Sequence, residues 1–208
     1  MGNVIFKVAD IIYRFVALNL IWLLFFLLGL GIFGFMPATV ALFAVIRQWI
    51  KGEKGFKLFK TYWHYYKADF IRSNLIWLIF LAFFYIVYVN YQFVGFYYDE
   101  SIQFYIYLIV FAVATFVLMA FVNVFSVMAH YKFEILEYIK VASGMVIFRP
   151  FITLLQLFWL FVYYLIAVEW PKVFLTLGVS VLAFVLMSTN YFTFKKYDNR
   201  NSRESEIT

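Results

Sequence analysis

Long apolar segments free of acidic and basic residues run through most of this 208-residue chain and restrict its possible folds more than any other feature. A helix that crosses a bilayer needs about 20 predominantly apolar residues in succession. The segments lie at 15–30, 73–93, 104–126, 150–168 and 173–194. They predict an all-α fold, in which a polytopic transmembrane helical bundle forms one domain over 1–194. A polar, unstructured cytoplasmic tail is expected at 195–208.

The composition also indicates that most of the chain lies in a membrane. Hydrophobic residues make up 66% of the chain and charged residues 13%, whereas a soluble domain is about one quarter charged. A surface so poor in charge has to face lipid. The chain has no cysteine, which excludes disulfides and thiolate chemistry. The net charge of +6 lies beside apolar segments. It therefore favours anionic lipid headgroups over nucleic acid as the partner.

Three glycines and a proline interrupt the apolar sequence and predict a structural turn. Gly29, Gly31 and Gly34 weaken the first helix, and Pro37 suits the first turn of a second helix. That second helix, at 37–49, is short for a full crossing. We therefore predict six spans with a short second one. The alternative is five spans, with the second segment re-entrant.

Residues 56–72 predict an amphipathic cytoplasmic helix, because two kinds of residue recur at helical spacing. The aromatic stripe comprises Phe56, Phe59, Trp63, Tyr66 and Phe70. The basic stripe comprises Lys57, Lys60, His64 and Lys67. Such a helix lies in the membrane interface with its ammonium groups at lipid phosphates. The candidates for lipid contact are Lys57, Lys60, Trp63, His64 and Lys67. The alternative is packing of this helix against its own bundle.

The distribution of positive charge predicts the orientation in the cell membrane. Placing 47–72, 130–149, the N-terminus and the tail inside leaves sixteen of the seventeen Lys and Arg residues on the cytoplasmic side. Positive charge is retained on that side of bacterial membranes. Both termini are then cytoplasmic, which requires an even number of crossings. Five spans would place Lys7 and Arg14 outside.

Two patterns resemble chemical motifs but have simpler interpretations. The glycine pattern at 29–34 matches a dinucleotide-binding motif only superficially, because that motif follows a strand and precedes a phosphate-binding helix. His130, Glu134 and Glu137 are spaced for one helical face, but no cysteine and only one other histidine could complete a metal site. We predict no catalytic residue, no metal site and no cofactor.

Uncharged polar residues enter the predicted spans, whereas no carboxylate lies at the centre of a span. This pattern weighs against an ion-coupled pump. The intramembrane candidates are Asn19, Asn74, Asn123 and Gln156. Their simplest role is hydrogen bonding between helices, at about 0.6–2 kcal/mol each. The alternative is a polar lining for sugar hydroxyls, with stacking on Trp22, Trp77 and Trp159.

Five short segments between 33 and 74 form a distinctive pattern. They are FGFMPAT (33–39), ALFAVIR (41–47), KGE (51–53), LFKTYW (58–63) and FIRSN (70–74). The pattern resembles the YesL family of bacterial integral membrane proteins, found mostly in Gram-positive organisms. Tyr62 departs from it, since phenylalanine is more usual at this position.

The resemblance implies a membrane protein without an established activity. Members of the family are commonly encoded beside sugar-uptake transporters and polysaccharide-degrading enzymes. The resemblance therefore implies a non-enzymatic accessory or component of bacterial carbohydrate uptake. Its partners would be sugar-transporter subunits in addition to membrane lipids. The alternative is a structural or lipid-interacting protein that acts through the helix at 56–72.

Overall fold

The computed structural model describes residues 2–53, 55 and 57–207, and within these ranges the regular structure is helical, without strands. The helices are α1 (Gly2–Leu28), α2 (Ile32–Ile50), α3 (Leu58–Ala68), α4 (Phe70–Tyr97), α5 (Glu100–His130), α6 (Ile135–Phe148), α7 (Pro150–Glu169), α8 (Pro171–Val173) and α9 (Val179–Ile207). A π-helical segment, Phe174–Gly178, joins α8 to α9.

Six stretches of helix are long and apolar enough to cross a membrane. They are Val8–Leu28, Ile32–Ile50, Phe70–Tyr97, Glu100–His130, Pro150–Glu169 and Thr176–Tyr197. This finding confirms the predicted all-α fold with six helices of spanning length. The second helix has 19 residues, so it is longer than the sequence indicates.

Helix α2 lies at the centre of the bundle and contacts α1, α3, α4, α5 and α9. Its residues from 36 to 46 are all buried, and so are the residues of α5 from 119 to 129. Both helices need apolar or small residues on every face where neighbours surround them. The core of the protein therefore forms around α2 and the second half of α5.

Pro37 does not begin the second helix, as the sequence suggested, but lies inside it. Leu30 and Gly31 have φ values of 57° and 75°. This left-handed backbone reverses the chain within the turn, so α2 can begin at Ile32. Proline removes one helical hydrogen bond, and spanning helices tolerate that loss when neighbouring helices surround it.

The predicted helix at 56–72 is divided in the structure. Helix α3 ends at Ala68, and Asp69 has non-helical backbone angles of φ −110° and ψ 10°. The Asp69 carbonyl accepts hydrogen bonds from the Ser73 amide and hydroxyl at 2.8 and 2.7 Å. These bonds fix the start of α4, which takes up Phe70. Phe56, the first residue of the predicted stripe, lies outside the described residues.

The expectation of an unstructured tail is wrong, because α9 continues to Ile207. No glycine or proline interrupts the sequence from 179 to 207, so no residue there breaks the helix. Ile11, Ile50 and Phe192 line one cavity, and Asn19 bonds to Ser180. Helix α9 is thus antiparallel to α1, so the start of α1 and the end of α9 lie on the same side of the bundle.

Candidate functional site

The α1–α2 turn brings two glycine backbones into contact. A Cβ on Gly29 would overlap the Cα of Gly34, and a Cβ on Gly34 would overlap the carbonyl oxygen of Phe26. The Gly29 and Gly31 amides donate to the Phe25 and Phe26 carbonyls at 3.2 and 2.9 Å. The turn therefore satisfies its own backbone groups, and it excludes side chains at both glycines.

Helix α3 packs its aromatic side chains around Phe25 of α1, a residue that sequence reasoning did not single out. The ring of Phe25 lies 5.1 Å from that of Tyr62, 5.4 Å from that of Trp63 and 4.8 Å from that of Tyr66. Phe25 and Tyr62 are both fully buried. Contacts of this kind add to the stabilisation from apolar burial, so they attach α3 to the bundle.

Two tyrosine hydroxyls of α3 bind backbone carbonyls of the α1–α2 pair. Tyr62 donates to the Ala38 carbonyl at 2.6 Å, and Tyr66 donates to the Phe25 carbonyl at 3.2 Å. Burial raises the pKa of Tyr62 well above its ordinary value, and the neighbouring Tyr66 raises it further. Burial also raises the pKa of Tyr66. The α1–α2 turn and the backbone of α3 are therefore separated by about one tyrosine side chain.

The side of α3 that faces away from the bundle is exposed. Lys57, Lys60, His64 and Lys67 are exposed, and the ammonium group of Lys67 lies 4.7 Å from the ring centre of Trp63. Of the predicted aromatic stripe, Phe59 and Trp63 remain 55% and 39% exposed, whereas Tyr66 is buried. Tyr62 and Tyr66 therefore pack against the protein's own bundle, as the alternative interpretation of this helix predicted. Phe59, Trp63 and the basic residues remain available for contact with lipid.

Three amide side chains meet in the core of the bundle. Gln156 of α7 donates to both Asn123 of α5 and Asn190 of α9 at 3.0 Å. Asn190 donates to Asn123 at 2.9 Å. All three are almost completely buried. This amide cluster joins α5, α7 and α9, and only the tertiary structure identifies Asn190 as its third member.

The other two intramembrane candidates lie elsewhere. Asn19 is buried, and its side-chain oxygen accepts a hydrogen bond from the Ser180 amide at 3.2 Å, which joins α1 to α9. Asn74 donates to the Phe70 carbonyl of its own helix at 2.9 Å. The four predicted residues therefore do not line one common space.

A polar cavity of about 250 Å³ lies between α2, α3, the start of α4 and the connection from α5 to α6. We call it the basic cavity. Besides three tyrosines, its ionisable lining residues are Arg47, His64, Asp69, Arg72, His130 and Lys132. They come from three separate stretches of the sequence, at 47, 64–72 and 130–132. Of these residues, sequence reasoning singled out only His64 and His130, and neither for this cavity.

Hydrogen bonds fix two arginines in the basic cavity. Arg47 donates from Nη1 to the His130 carbonyl at 3.0 Å, and Arg72 pairs with Asp69 at 3.2 Å. Burial raises the pKa of Asp69, although Arg72 and Lys132 oppose the shift. The cavity thus combines three cationic side chains with one carboxylate, which gives an excess of positive charge.

The single helical face suggested by the spacing of His130, Glu134 and Glu137 does not form. His130 ends α5, and Glu134 precedes α6, so His130, Glu134 and Glu137 do not share a helical face. Glu134 and Glu137 instead cap the start of α6 reciprocally. Among the residues that the structure describes, no three His, Asp or Glu side chains are grouped to hold a metal ion.

Together, the six long apolar helices, the basic helix α3 and the buried amide cluster define a polytopic helical membrane protein. A family model described as "Protein of unknown function, DUF624" matches residues 15–91. No solved structure shows significant similarity to the chain.

Three proteins of Bacillus subtilis (strain 168), each described as uncharacterized, are similar in sequence. The chain is 25% identical to YesL over 193 residues, which cover 93% of this chain and 90% of YesL. It is 35% identical to YesV over 65% of both chains. It is 51% identical to YteU over 38% of this chain, but that match spans only 36% of YteU. These matches confirm the predicted resemblance to the YesL family.

Proposed function

We propose that this protein is a non-enzymatic accessory of carbohydrate uptake in the cell membrane and does not itself form the passage for the sugar. The observation that carries the proposal is the amide cluster. Asn123, Gln156 and Asn190 are almost completely buried and bond to one another in the core, and of their polar atoms only Gln156 Oε1 has no partner among the described residues. A sugar passage requires polar groups that are open to hydroxyls. Carbohydrate as the cargo follows from what the family resemblance implies.

Affinity purification of the full chain from its native membrane, in mild detergent, tests the accessory role. We expect subunits of a sugar transporter to be retained after washing. An unrelated tagged membrane protein of similar size, expressed at the same level, is the control. Recovery of the chain with lipid alone, under conditions that keep it folded, would contradict the role.

Reconstitution into liposomes tests the proposal that the protein does not itself form the passage for the sugar. Liposomes that contain only this protein should take up labelled mono- and oligosaccharides no faster than protein-free liposomes. Faster uptake that is lost in a folded Gln156→Leu variant would show that the amide cluster lies on a passage. The proposal would then be wrong.

A second candidate function is recognition of anionic lipid by α3. It is favoured by the exposure of Lys57, Lys60 and Lys67 beside the partly exposed rings of Phe59 and Trp63. Each lysine near an anionic membrane surface contributes about 1 kcal/mol. Three lysines would contribute about 3 kcal/mol at low salt, and less as salt screens them over a Debye length of about 10 Å at 0.1 M.

The test uses the whole protein, because an isolated α3 peptide would expose Tyr62 and Tyr66, which the bundle covers. We expect Lys57→Gln, Lys60→Gln and Lys67→Gln together to reduce retention of phosphatidylglycerol relative to phosphatidylcholine in native mass spectrometry. The control replaces Lys51, Lys140 and Lys195, which are also exposed. An equal loss in both triple variants would indicate general charge attraction, and would exclude recognition by α3.

A further inference from the structure

The basic cavity has the composition of an anion site. Three cationic side chains, Arg47, Arg72 and Lys132, face it together with one carboxylate, Asp69. Asp69 pairs with only one of these cations, Arg72, and like charges brought together repel one another. A bound anion would remove the repulsion.

Arg47 supplies a second, independent observation. Its Nη1 donates a hydrogen bond to the His130 carbonyl at 3.0 Å. Its Nε is buried, yet within the described ranges it has no hydrogen-bond acceptor. A buried cationic donor left without an acceptor is costly. An oxyanion in the cavity would provide the missing acceptor.

The size and shape of the cavity restrict the ligand. Its volume of about 250 Å³ is smaller than the roughly 300–1,000 Å³ of pockets that enclose drug-sized ligands. Two of its three cations are arginines, whose planar donors match the oxygens of phosphate in pairs. A small group with several oxygens therefore fits better than a chloride ion or an extended polymer.

We propose that the basic cavity binds a phosphate group, held by Arg47, Arg72 and Lys132. The phosphate belongs either to an anionic phospholipid headgroup or to a soluble phosphate compound, because the chemistry of recognition is the same. Asp69 opposes binding through its negative charge and by pairing with Arg72. This inference goes beyond both proposed functions, since it concerns a cavity rather than the open lysine face of α3.

The test measures binding to the purified full-length protein at constant ionic strength. Inorganic phosphate is titrated in a neutral detergent, with chloride as the reference anion. In a second arm, thermal unfolding is compared between nanodiscs of phosphatidylcholine and nanodiscs that also contain phosphatidylglycerol. The variants are Lys132→Gln, Asp69→Asn and, as the matched control, Lys140→Gln, an exposed lysine outside the cavity.

We expect Lys132→Gln to weaken phosphate binding about threefold and Asp69→Asn to strengthen it, because one charge is removed in each case. Lys140→Gln should have little effect. The gain in Asp69→Asn is informative because misfolding cannot produce it. If only the nanodisc arm responds, with the same order of variants, the phosphate belongs to lipid. No response in either arm, or equal losses in Lys132→Gln and Lys140→Gln, would overturn the proposal.

Discussion

Gly29 and Gly34 pack backbone against backbone, so closely that a Cβ on Gly29 would overlap the Cα of Gly34. Substitution of Gly34 should therefore disturb the join between α1 and α2. We expect Gly34→Leu to destabilise the protein by at least about 1–3 kcal/mol, the usual cost of overpacking. The measurement is thermal unfolding in detergent, together with the yield of folded protein.

Gly95→Ala is the matched control for this substitution. A Cβ at Gly95 would lie 3.6 Å from the hydroxyl of Tyr107, which is an ordinary contact, and alanine favours the helix. This variant should be as stable as the native chain. Normal stability of Gly34→Leu would contradict the close approach of the two helices.

The closeness of Tyr66 to Phe25 and Gly29 leads to a second prediction. The basic residues of α3 belong at headgroup level, yet Tyr66 of α3 reaches the α1–α2 turn. The distance between that turn and α3 is therefore far shorter than the thickness of the hydrocarbon core, which is about 30 Å. The α1–α2 turn is also apolar, and its residue Leu30 is 84% exposed. We expect Leu30→Cys to resist impermeant thiol reagents on intact cells.

The orientation of the chain sets the controls for that experiment. Glu100→Cys and Lys172→Cys should be labelled from outside, whereas Lys51→Cys and Asn3→Cys should react only after permeabilisation. Strong labelling of Leu30→Cys on intact cells would indicate that α1 and α2 both cross completely. Labelling of Asn3→Cys on intact cells would contradict a cytoplasmic N-terminus.

The amide cluster should contribute to stability. Gln156→Met keeps a similar volume but removes both hydrogen bonds to Asn123 and Asn190. We expect a loss of about 0.6–2 kcal/mol in the free energy of unfolding. Asn90→Met is the control, because Asn90 is exposed and bonds only within its own helix in the described structure. Equal effects in both variants would exclude a special role for the cluster.

The buried phenol of Tyr62 predicts a loss of stability at alkaline pH. Its pKa in the folded protein is raised above the ordinary value of 10.0. Above pH 10 the unfolded chain therefore releases this proton before the folded chain does, and stability falls as pH rises. We expect Tyr62→Phe to lose less stability than the native chain between pH about 8 and about 11.

The exposed Tyr97 provides the control for the phenol prediction, since Tyr97→Phe should follow the native pH dependence. At neutral pH, Tyr62→Phe should cost about 0.5–1.5 kcal/mol, because it removes the hydrogen bond to the Ala38 carbonyl. The same alkaline loss in all three proteins would contradict the burial of this hydroxyl.

The sequence by itself determined the membrane environment, the all-α class, the positions of the long helices and the resemblance to the YesL family. Each of these depends on local composition, since a run of apolar residues of spanning length needs no knowledge of its neighbours. The glycines at 29, 31 and 34 also predicted a turn, because chain reversal depends on local backbone freedom.

Tertiary structure alone decided which residues meet. The helix break at Asp69 has no glycine or proline from which it could be predicted. It lies between α3, which packs against Phe25, and the start of α4. Asn190 joins Asn123 and Gln156, and Arg47 joins Arg72 and Lys132, across long separations in sequence. Periodicity shows which face of a helix is apolar. It cannot show which other helix covers that face, because that choice depends on how all the helices pack at once.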